Sequence, residues 1–199
     1  MKIKVFILPL LITFFVIACN EEEQVYPNII TEFAEMKVDG QGVADSIRLD
    51  NNVRYRISNK IKDLKPKATY RVVCGYIPNG SSATIYTLEA AYYLRDSSRI
   101  AQQAPTEVLS AWRSGRFINL HLTPKTQGGT HYWGYSIDSL VGHNAYLSLH
   151  HNQNNDPISY SADVYASIPV DSIRGIQKGD TISLSIQTFK DKKTWTIIR

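Results

Sequence analysis

The stretch that decides the fold is Tyr70-Arg71-Val72-Val73-Cys74-Gly75-Tyr76-Ile77, with the turn Pro78-Asn79-Gly80-Ser81 directly after it. Tyr70, Val72, Cys74 and Tyr76 recur at every second position, which is the period of one face of a β-strand. Proline, asparagine and glycine together favour a tight hairpin turn. The chain then alternates again, and one face of this second arm carries Thr84, Tyr86, Leu88, Ala90, Tyr92 and Leu94. The sequence therefore predicts a long β-hairpin.

Shorter strands precede this hairpin. Alternation begins at Thr31, and the turns at Asp39–Gly42 and Asp50–Asn52 divide the segment into several short strands. Five or six strands within about seventy residues, with long central arms that must curl to bury one face, indicate a small closed barrel of the OB type. We assign this barrel to residues 29–102. A plain meander of the same strands is the alternative.

Residues 103–199 show a second series of strands. Seven or so short strands, roughly ten residues apart and separated by glycine- and asparagine-rich turns, indicate an immunoglobulin-like β-sandwich. No cysteine pair braces this half, so Trp112, Trp133 and Trp195 are the candidate core anchors. The predicted fold class is all-β, with an N-terminal OB-like barrel followed by a C-terminal immunoglobulin-like β-sandwich.

Residues 1–18 have the features of an export signal. Lys2 and Lys4 precede an apolar run that is too short to span a membrane. The segment Val16-Ile17-Ala18-Cys19 resembles a bacterial lipobox, which implies cleavage between Ala18 and Cys19 and acylation of Cys19 with lipid. The membrane is then a partner through that lipid. Residues 19–28 are polar and acidic, and they predict a flexible tether.

Net charge and cysteine content bear on the partners and on the role of the two cysteines. The chain has 22 Lys and Arg against 18 Asp and Glu, so it is only weakly basic. Because Cys19 is committed to lipid, Cys74 has no partner for an intramolecular disulfide. Cys74 shares a strand face with Tyr70, Val72 and Tyr76, which favours a buried structural thiol over a nucleophile.

Three segments carry a family resemblance: Trp112-Arg113-Ser114-Gly115-Arg116-Phe117-Ile118-Asn119-Leu120, His150-His151-Asn152-Gln153-Asn154-Asn155-Asp156-Pro157 and Val164-Tyr165-Ala166-Ser167-Ile168-Pro169. With the lipobox and the strand-rich first half, they resemble the NigD-like lipoproteins of Bacteroidetes over nearly the whole mature chain. The resemblance implies an OB-like domain followed by a β-sandwich. It also implies an association with a bacteriocin locus, for which an immunity role has been proposed.

Two further resemblances concern location and modification. The acidic run Asn20-Glu21-Glu22-Glu23 is similar to the tag that directs Bacteroidetes lipoproteins to the outside of the outer membrane. It implies a lipid-anchored protein on the cell surface, with a periplasm-facing protein as the alternative. Asp-Ser and Asp-Thr pairs before an aliphatic residue are similar to the O-glycosylation acceptor of that phylum, and they are also ordinary turn chemistry. The candidate acceptors are Ser46, Ser139, Ser172 and Thr181.

Motifs for catalysis, cofactors and metals are missing from the sequence. It contains no Gly-x-Ser-x-Gly, no His-Glu-x-x-His and no phosphate-binding Gly-rich loop. His150 and His151 are adjacent in a predicted strand, so they point to opposite faces and cannot share one ion without a β-bulge. The loop 152–156 offers oxygen ligands but a single carboxylate, which favours a polar turn over a calcium site. We predict no enzyme, no cofactor and no metal.

The run His131-Tyr132-Trp133-Gly134-Tyr135 is the main candidate for ligand binding. Alternation directs Tyr132 to one face and Trp133 with Tyr135 to the other, so only one set can be core. The exposed set can stack on sugar rings or pack on a protein. The candidate ligand-binding residues are Trp112, His131, Tyr132, Trp133 and Tyr135.

The expected function is that of a membrane-anchored accessory or binding protein, with bacteriocin immunity as the role that the family resemblance implies. A protein or a glycan of the envelope is the expected partner, and export argues against nucleic acid. A glycan-binding surface module is the first alternative. A hydrolase whose site assembles only in the fold is the second. The sequence leaves the oligomeric state open.

Overall fold

The computed structural model describes residues 27–97 and 102–199. The predictions for the signal, for Ala18 and Cys19 and for most of the tether lie outside these residues. The strands are β1 Ile30–Val38, β2 Ala44–Leu49, β3 Arg54–Ile57, β4 Thr69–Asn79, β5 Ser82–Tyr93, β6 Glu107–Ser114, β7 Phe117–Thr123, β8 Lys125–Thr126, β9 Tyr132–Val141, β10 Asn144–Asn152, β11 Tyr160–Ser161, β12 Val164–Pro169, β13 Thr181–Gln187 and β14 Lys192–Ile198. One 3-10 turn spans Val170–Ser172. Within the described ranges no helix is long and apolar enough to cross a membrane.

Strands β1 to β5 close into a barrel. They pair in the order β3-β2-β1-β4-β5, and β5 returns to pair in parallel with β3 through Arg56 with Ser82 and Ile57 with Ala83. This last pairing closes the sheet, which confirms the OB-like barrel and excludes a plain meander. The interior holds Ala34, Met36, Ala44, Ile47, Leu49, Val72, Cys74, Tyr76, Ala83 and Ile85.

The predicted hairpin forms from β4 and β5, but a β-bulge changes which residues share a face. The register shifts between Gly75 and Tyr76, and this leaves Tyr86 of β5 without a partner. Tyr86 is 51% exposed, whereas Ile85 beside it is buried in the barrel. The prediction of one continuous face that starts at Thr84 is therefore wrong, because an extra residue in one strand reverses the alternation beyond it.

The longer strands of the second half form a two-layer β-sandwich, as predicted. One layer contains β6, β7 and β12, and the other has the order β14-β13-β10-β9. Strands β10 and β13 pair in parallel, while β10 with β9 and β13 with β14 are antiparallel. The main core residues between the layers are Ile118, Leu120, Leu122, Tyr135, Leu147, Leu149, Ala166, Ile168, Ile182 and Leu184. The short strands β8 and β11 pair with each other beside the sandwich.

Strand β5 belongs to both units. Its first part pairs with β4 in the barrel, and Ala91–Tyr93 pairs in parallel with Tyr165–Ser167 of β12. The barrel strands and the first sandwich layer therefore form one continuous eight-stranded sheet. The chain then reaches the second layer, where the backbone of His151 bonds to Gln102 and Ala104. The division near residue 102 stays a prediction.

The three tryptophans differ in their positions. Trp133 is buried in the sandwich core, and Trp195 packs against that core while partly exposed. Trp112 is 38% exposed, so its prediction as a core anchor is wrong. It lies on β6, the edge strand of the continuous sheet, and its ring contacts Phe33 of the barrel with centroids 5.6 Å apart. Trp112 thus faces the barrel instead of the sandwich interior.

Candidate functional site

A cleft of about 310 Å³ lies where the barrel meets the sandwich. Its lining comes from β1, the β2–β3 turn and β4 of the barrel, and from β6, β7 and β12 of the sandwich. Residues from both units therefore form one concave surface. The volume is at the lower end of the range of ligand pockets.

A buried ion pair forms the floor of the cleft. Arg71 of β4 donates two hydrogen bonds to the carboxylate of Asp50, at 2.6 and 2.8 Å. The side chains of both residues are almost completely buried. Arg71 also lies over the ring of Phe117, 3.9 Å from its centroid. Removal of either partner would leave an uncompensated charge in the interior, so each residue of the pair stabilises the buried position of the other.

Two sandwich side chains complete the hydrogen bonds of this pair. Asn119 accepts from Arg71 at 2.9 Å and donates to Asp50 at 2.7 Å. Ser167 accepts from Arg71 at 2.9 Å and donates to Asn119 at 2.7 Å. The network joins the barrel to the sandwich through charged and neutral groups that all have partners. It therefore fixes the orientation of the two units around the cleft.

The β6–β7 turn approaches the barrel closely at the same place. Gly115 has a positive φ of 53°, and a Cβ atom there would lie 1.8 Å from the carbonyl oxygen of Asp50. Only glycine fits this contact, since any side chain would collide with backbone. The close approach brings Trp112 and Ser114 of β6 to the edge of the cleft.

Aromatic rings form the wall of the cleft. Phe33 meets Trp112 edge to face, with ring centroids 5.6 Å apart, and meets Tyr165 in the same way at 5.9 Å. Tyr165 also stacks on His121 at 4.5 Å. Trp112 and Tyr165 keep part of their surface open to solvent. We name the space bounded by Phe33, Trp112 and Tyr165 the aromatic cleft.

Carboxylates lie at the rim of the aromatic cleft. Burial raises the pKa of Tyr165, and the negative charges of Glu89 and Asp163 raise it further. Glu89 is exposed, and Asp163 bonds to His121 Nε2 at 2.6 Å through one oxygen. The rim therefore carries negative charge close to the Tyr165 hydroxyl.

The predicted aromatic run of β9 divides between two faces, as the alternation indicates. Tyr132 is 48% exposed, whereas Trp133 and Tyr135 lie in the sandwich core and His131 is buried next to it. The indole of Trp133 stacks on the ring of His151 with centroids 3.9 Å apart. Of the five candidate ligand-binding residues, the structure places Trp112 at the aromatic cleft and leaves Tyr132 on the surface.

His131 and His151 form a buried hydrogen-bonded pair. His151 Nδ1 donates to the carbonyl of Ala104 at 3.0 Å, and His131 Nε2 donates to Asp156 at 3.0 Å. The other two ring nitrogens lie 3.0 Å apart, within hydrogen-bond distance. All four ring nitrogens of the pair therefore have a polar partner in the interior. The pKa of Asp156 is lowered, and the hydrogen bond from Thr126 is the largest of several causes.

A second cavity of about 330 Å³ lies beside this pair. The exposed rings of Tyr92 and Tyr160 line it, together with the turn at Gly128 and Gly129 and the edge of Trp133. Asp156 lies behind that turn, because a Cβ on Gly129 would come within 2.6 Å of its carboxylate. The loop 152–156 is thus tied to the β8–β9 connection through its one carboxylate.

Ser136 and His150 meet on the outer face of the second layer, 2.9 Å apart. The hydroxyl of Ser136 donates to Asp138 at 2.7 Å, so His150 Nε2 must carry the hydrogen that it shares with Ser136. A histidine that donates to the serine cannot remove the serine proton. This arrangement differs from the nucleophile and base of a hydrolase.

The histidines and acidic residues do not assemble into an ion site in the part of the chain that the structure describes, where no group of three or more such ligands is found. His150 and His151 point to opposite faces, as predicted, with partners Ser136 and Ala104. His121 and His143 bond to separate aspartates.

The candidate O-glycosylation residues differ in accessibility. Ser139 is exposed on β9, and Ser46 and Thr181 are partly exposed in strands. The hydroxyl of Ser172 donates to the Pro169 carbonyl at 2.5 Å and bonds to the Tyr135 hydroxyl at 2.6 Å. Modification of any of the four stays a prediction.

Several site residues were missed from the sequence. The sequence pattern places Phe33 and Tyr165 in strands and Asp50 in a turn, without marking them as site residues. One signal was available, since a charged residue such as Arg71 within an apolar strand needs a buried partner. The partner itself is set by the closure of the barrel and by the docking of β7.

Comparison with known proteins places the chain in a family. The model of the NigD-like C-terminal beta sandwich domain matches residues 91–199, which is more than half of the chain. No curated protein matches the sequence.

Several solved structures share the fold. A NigD-like immunity protein from Bacteroides caccae has a TM-score of 0.65 and 24% identity, over 86% of this chain and 92% of its own. A protein from Parabacteroides distasonis described as toxin-related has a TM-score of 0.68 and 14% identity, over 85% and 92%. One from Bacteroides fragilis described as a lipoprotein has a TM-score of 0.62 and 14% identity, over 86% and 98%. The family match and the barrel-plus-sandwich fold agree, and the chain belongs to the NigD-like family.

Proposed function

We propose that this protein is a lipid-anchored binding protein that holds a partner protein of the cell envelope in the aromatic cleft. The single observation that carries the proposal is the exposure of Trp112 over a rigid, fully hydrogen-bonded floor. A half-exposed tryptophan on a fixed scaffold is typical of an interface residue. The proposed action is binding without catalysis.

An immunity-type role, directed at a bacteriocin, is the form of binding that we propose. Support comes from two structural neighbours, of which one is described as an immunity protein and one as toxin-related. Attachment through Cys19 and a position on the outer surface of the outer membrane complete the proposal. A structural neighbour described as a lipoprotein supports the anchor.

Capture from native envelopes tests the binding proposal. The full chain and its Trp112→Ala variant are compared with Tyr86→Ala, which removes an exposed ring from the barrel bulge outside the cleft. We expect the wild type and Tyr86→Ala to capture the same partner and Trp112→Ala to lose it. Equal capture by all three would exclude the aromatic cleft as the interface.

Cell fractionation tests the anchor and the location. Cys19→Ser is expected to release the protein from the membrane fraction, because a serine cannot form the thioether to lipid. Protease added to intact cells is expected to degrade the wild type. Protection from the protease would place the protein in the periplasm instead.

A glycan-binding surface module is the second candidate. The exposed rings of Tyr92 and Tyr160 beside the second cavity, and Tyr132 on the outer face of β9, favour it. A glycan array with the wild type and Tyr160→Ala tests this function. Binding that is lost in Tyr160→Ala supports it, and an array without any signal excludes it for the glycans tested.

A further inference from the structure

We infer that the aromatic cleft receives a lysine or arginine side chain presented by the partner protein. The inference rests on the binding function proposed above and specifies the chemistry of the partner. Its basis is the combination of converging aromatic rings and rim carboxylates in a cleft whose lining contains no lysine or arginine among the described residues.

The aromatic rings are arranged as a receptor for a cation. Phe33 is buried and holds Trp112 and Tyr165 edge to face against it, so the two outer rings have fixed orientations. Both outer rings remain partly open to the cleft. An ammonium or guanidinium group is attracted to the faces of such rings, and tryptophan is the strongest of them.

The carboxylates at the rim add charge complementarity. Glu89 lies opposite Val73, a residue of the cleft lining, and is exposed. Asp163 is 60% exposed and uses only one oxygen to bond to His121 among the described residues. Both carboxylates are close enough to Tyr165 to act on its hydroxyl, so a cation bound at that ring would be attracted to both.

The arginines of the protein near the cleft do not oppose a bound cation. Arg71 is paired with Asp50 below the cleft, and Arg116 shares the carboxylate of Glu35 with Arg48 outside the cleft lining. Arg71 already lies over the ring of Phe33, a residue of the cleft lining, 5.2 Å from its centroid. The cleft therefore keeps the negative charge of its rim, and the packing of Arg71 shows that this surface accommodates a guanidinium over a ring.

Short peptides with one variable residue provide the test. The probes are acetylated Gly-Lys-Gly, Gly-Arg-Gly, Gly-Gln-Gly and Gly-Glu-Gly amides, titrated into the full chain in detergent and followed by tryptophan fluorescence and calorimetry. We compare the wild type with Trp112→Leu, with the double variant Glu89→Gln and Asp163→Asn, and with the control Asp45→Asn. Asp45 is an exposed carboxylate outside the cleft lining. Thermal unfolding of each variant confirms that it is folded.

We expect the lysine and arginine peptides to bind about tenfold more tightly than the glutamine peptide, and the glutamate peptide not to bind. Trp112→Leu and the double variant should each weaken the preference, and Asp45→Asn should keep it. Equal binding of the glutamine and lysine peptides to the wild type, or a preference that is undiminished in both Trp112→Leu and the double variant, overturns the inference. If capture from envelopes depends on Trp112 while the peptides show no charge preference, the binding function stands and the cationic partner is excluded. If the cationic peptides bind but nothing is captured, the subsite stands and the proposed function fails.

Discussion

Nε2 of His151 and Nδ1 of His131 lie 3.0 Å apart inside the sandwich, joined by one hydrogen. Their other ring nitrogens bond to the carbonyl of Ala104 and to the carboxylate of Asp156. His151 is fully buried, so a charged imidazolium at this position would lose its hydration. Burial is the main cause that lowers the pKa of His151 to about 4; the hydrogen bond to Ala104 acts in the opposite direction, and the neighbouring His131 adds to the lowering.

This pair predicts that acid destabilises the fold. In the unfolded chain a histidine has a pKa near 6.5, above the folded value of about 4 for His151. Between these values the unfolded chain binds more protons, so the free energy of unfolding falls as the pH is lowered through this range, by up to about 3 kcal/mol. Urea unfolding at several pH values measures the slope. His151→Gln should flatten it and the exposed His143→Gln should not; an equal slope in both would contradict the prediction.

The ion pair below the cleft predicts a large loss of stability in Asp50→Ala. Removal of the carboxylate leaves the buried guanidinium of Arg71 without a counter charge, which lowers the free energy of unfolding by about 3–5 kcal/mol. Asp171→Ala is the control, because that carboxylate is exposed and 3.5 Å from Arg199, and its loss is expected to have an effect below about 0.5 kcal/mol. Urea unfolding compares them, and a similar stability of the two variants would show that the network does not hold the units together.

Alanine substitutions at two glycines with almost the same backbone conformation distinguish backbone strain from steric collision of the added Cβ atom. Gly115 and Gly80 have φ values of 53° and 58°, but only Gly115 has backbone within reach of an added Cβ. Gly80→Ala is expected to lower the stability by about 1–2 kcal/mol, from the left-handed conformation alone. Gly115→Ala should lower it further and also weaken binding at the aromatic cleft, because the β6–β7 turn must move from Asp50. Thermal unfolding gives the comparison; equal losses would mean that the turn adapts freely.

The thiol of Cys74 is expected to be unreactive in the folded protein. It is fully buried in the barrel beside Val72 and Tyr76, and burial raises its pKa to about 12. A thiol with this pKa is almost entirely protonated at neutral pH, and the protonated form is a poor nucleophile. Iodoacetamide followed by mass spectrometry should label Cys74 only after denaturation. Rapid labelling of the native chain would show that the barrel opens.

Periodicity was sufficient for the class and order of the elements, because alternating side chains indicate strands wherever one face is buried. It placed Cys74 in the barrel interior and Tyr132 on the opposite face from Trp133, and the structure confirms both. It was wrong at Tyr86, where a bulge inserts one residue, and at Trp112 on an edge strand. Both errors arise from strand pairing, which a single strand does not specify.

The aromatic cleft could not be predicted from the sequence, because it too depends on strand pairing. Its residues come from strands that are distant in sequence, and they meet only because the sheet continues from the barrel into the sandwich. Phe33 and Tyr165 have the composition of ordinary strand residues, and nothing next to them in sequence marks the contact. The residue type alone makes Trp112 a candidate for ligand binding, and the structure places it in the lining of the aromatic cleft.

Because β5 belongs to both the barrel and the sandwich, it affects the order in which the two units fold during synthesis, which proceeds from the N-terminus. All the strands needed to close the barrel precede Leu94, so the barrel can form while most of the sandwich is still missing. Its last residues, Ala91–Tyr93, then project as an edge whose partner Tyr165–Ser167 arrives only near the end of the chain. The finished barrel would serve as a template on which the sandwich assembles, and this unpaired edge is where an incomplete chain is most exposed to aggregation.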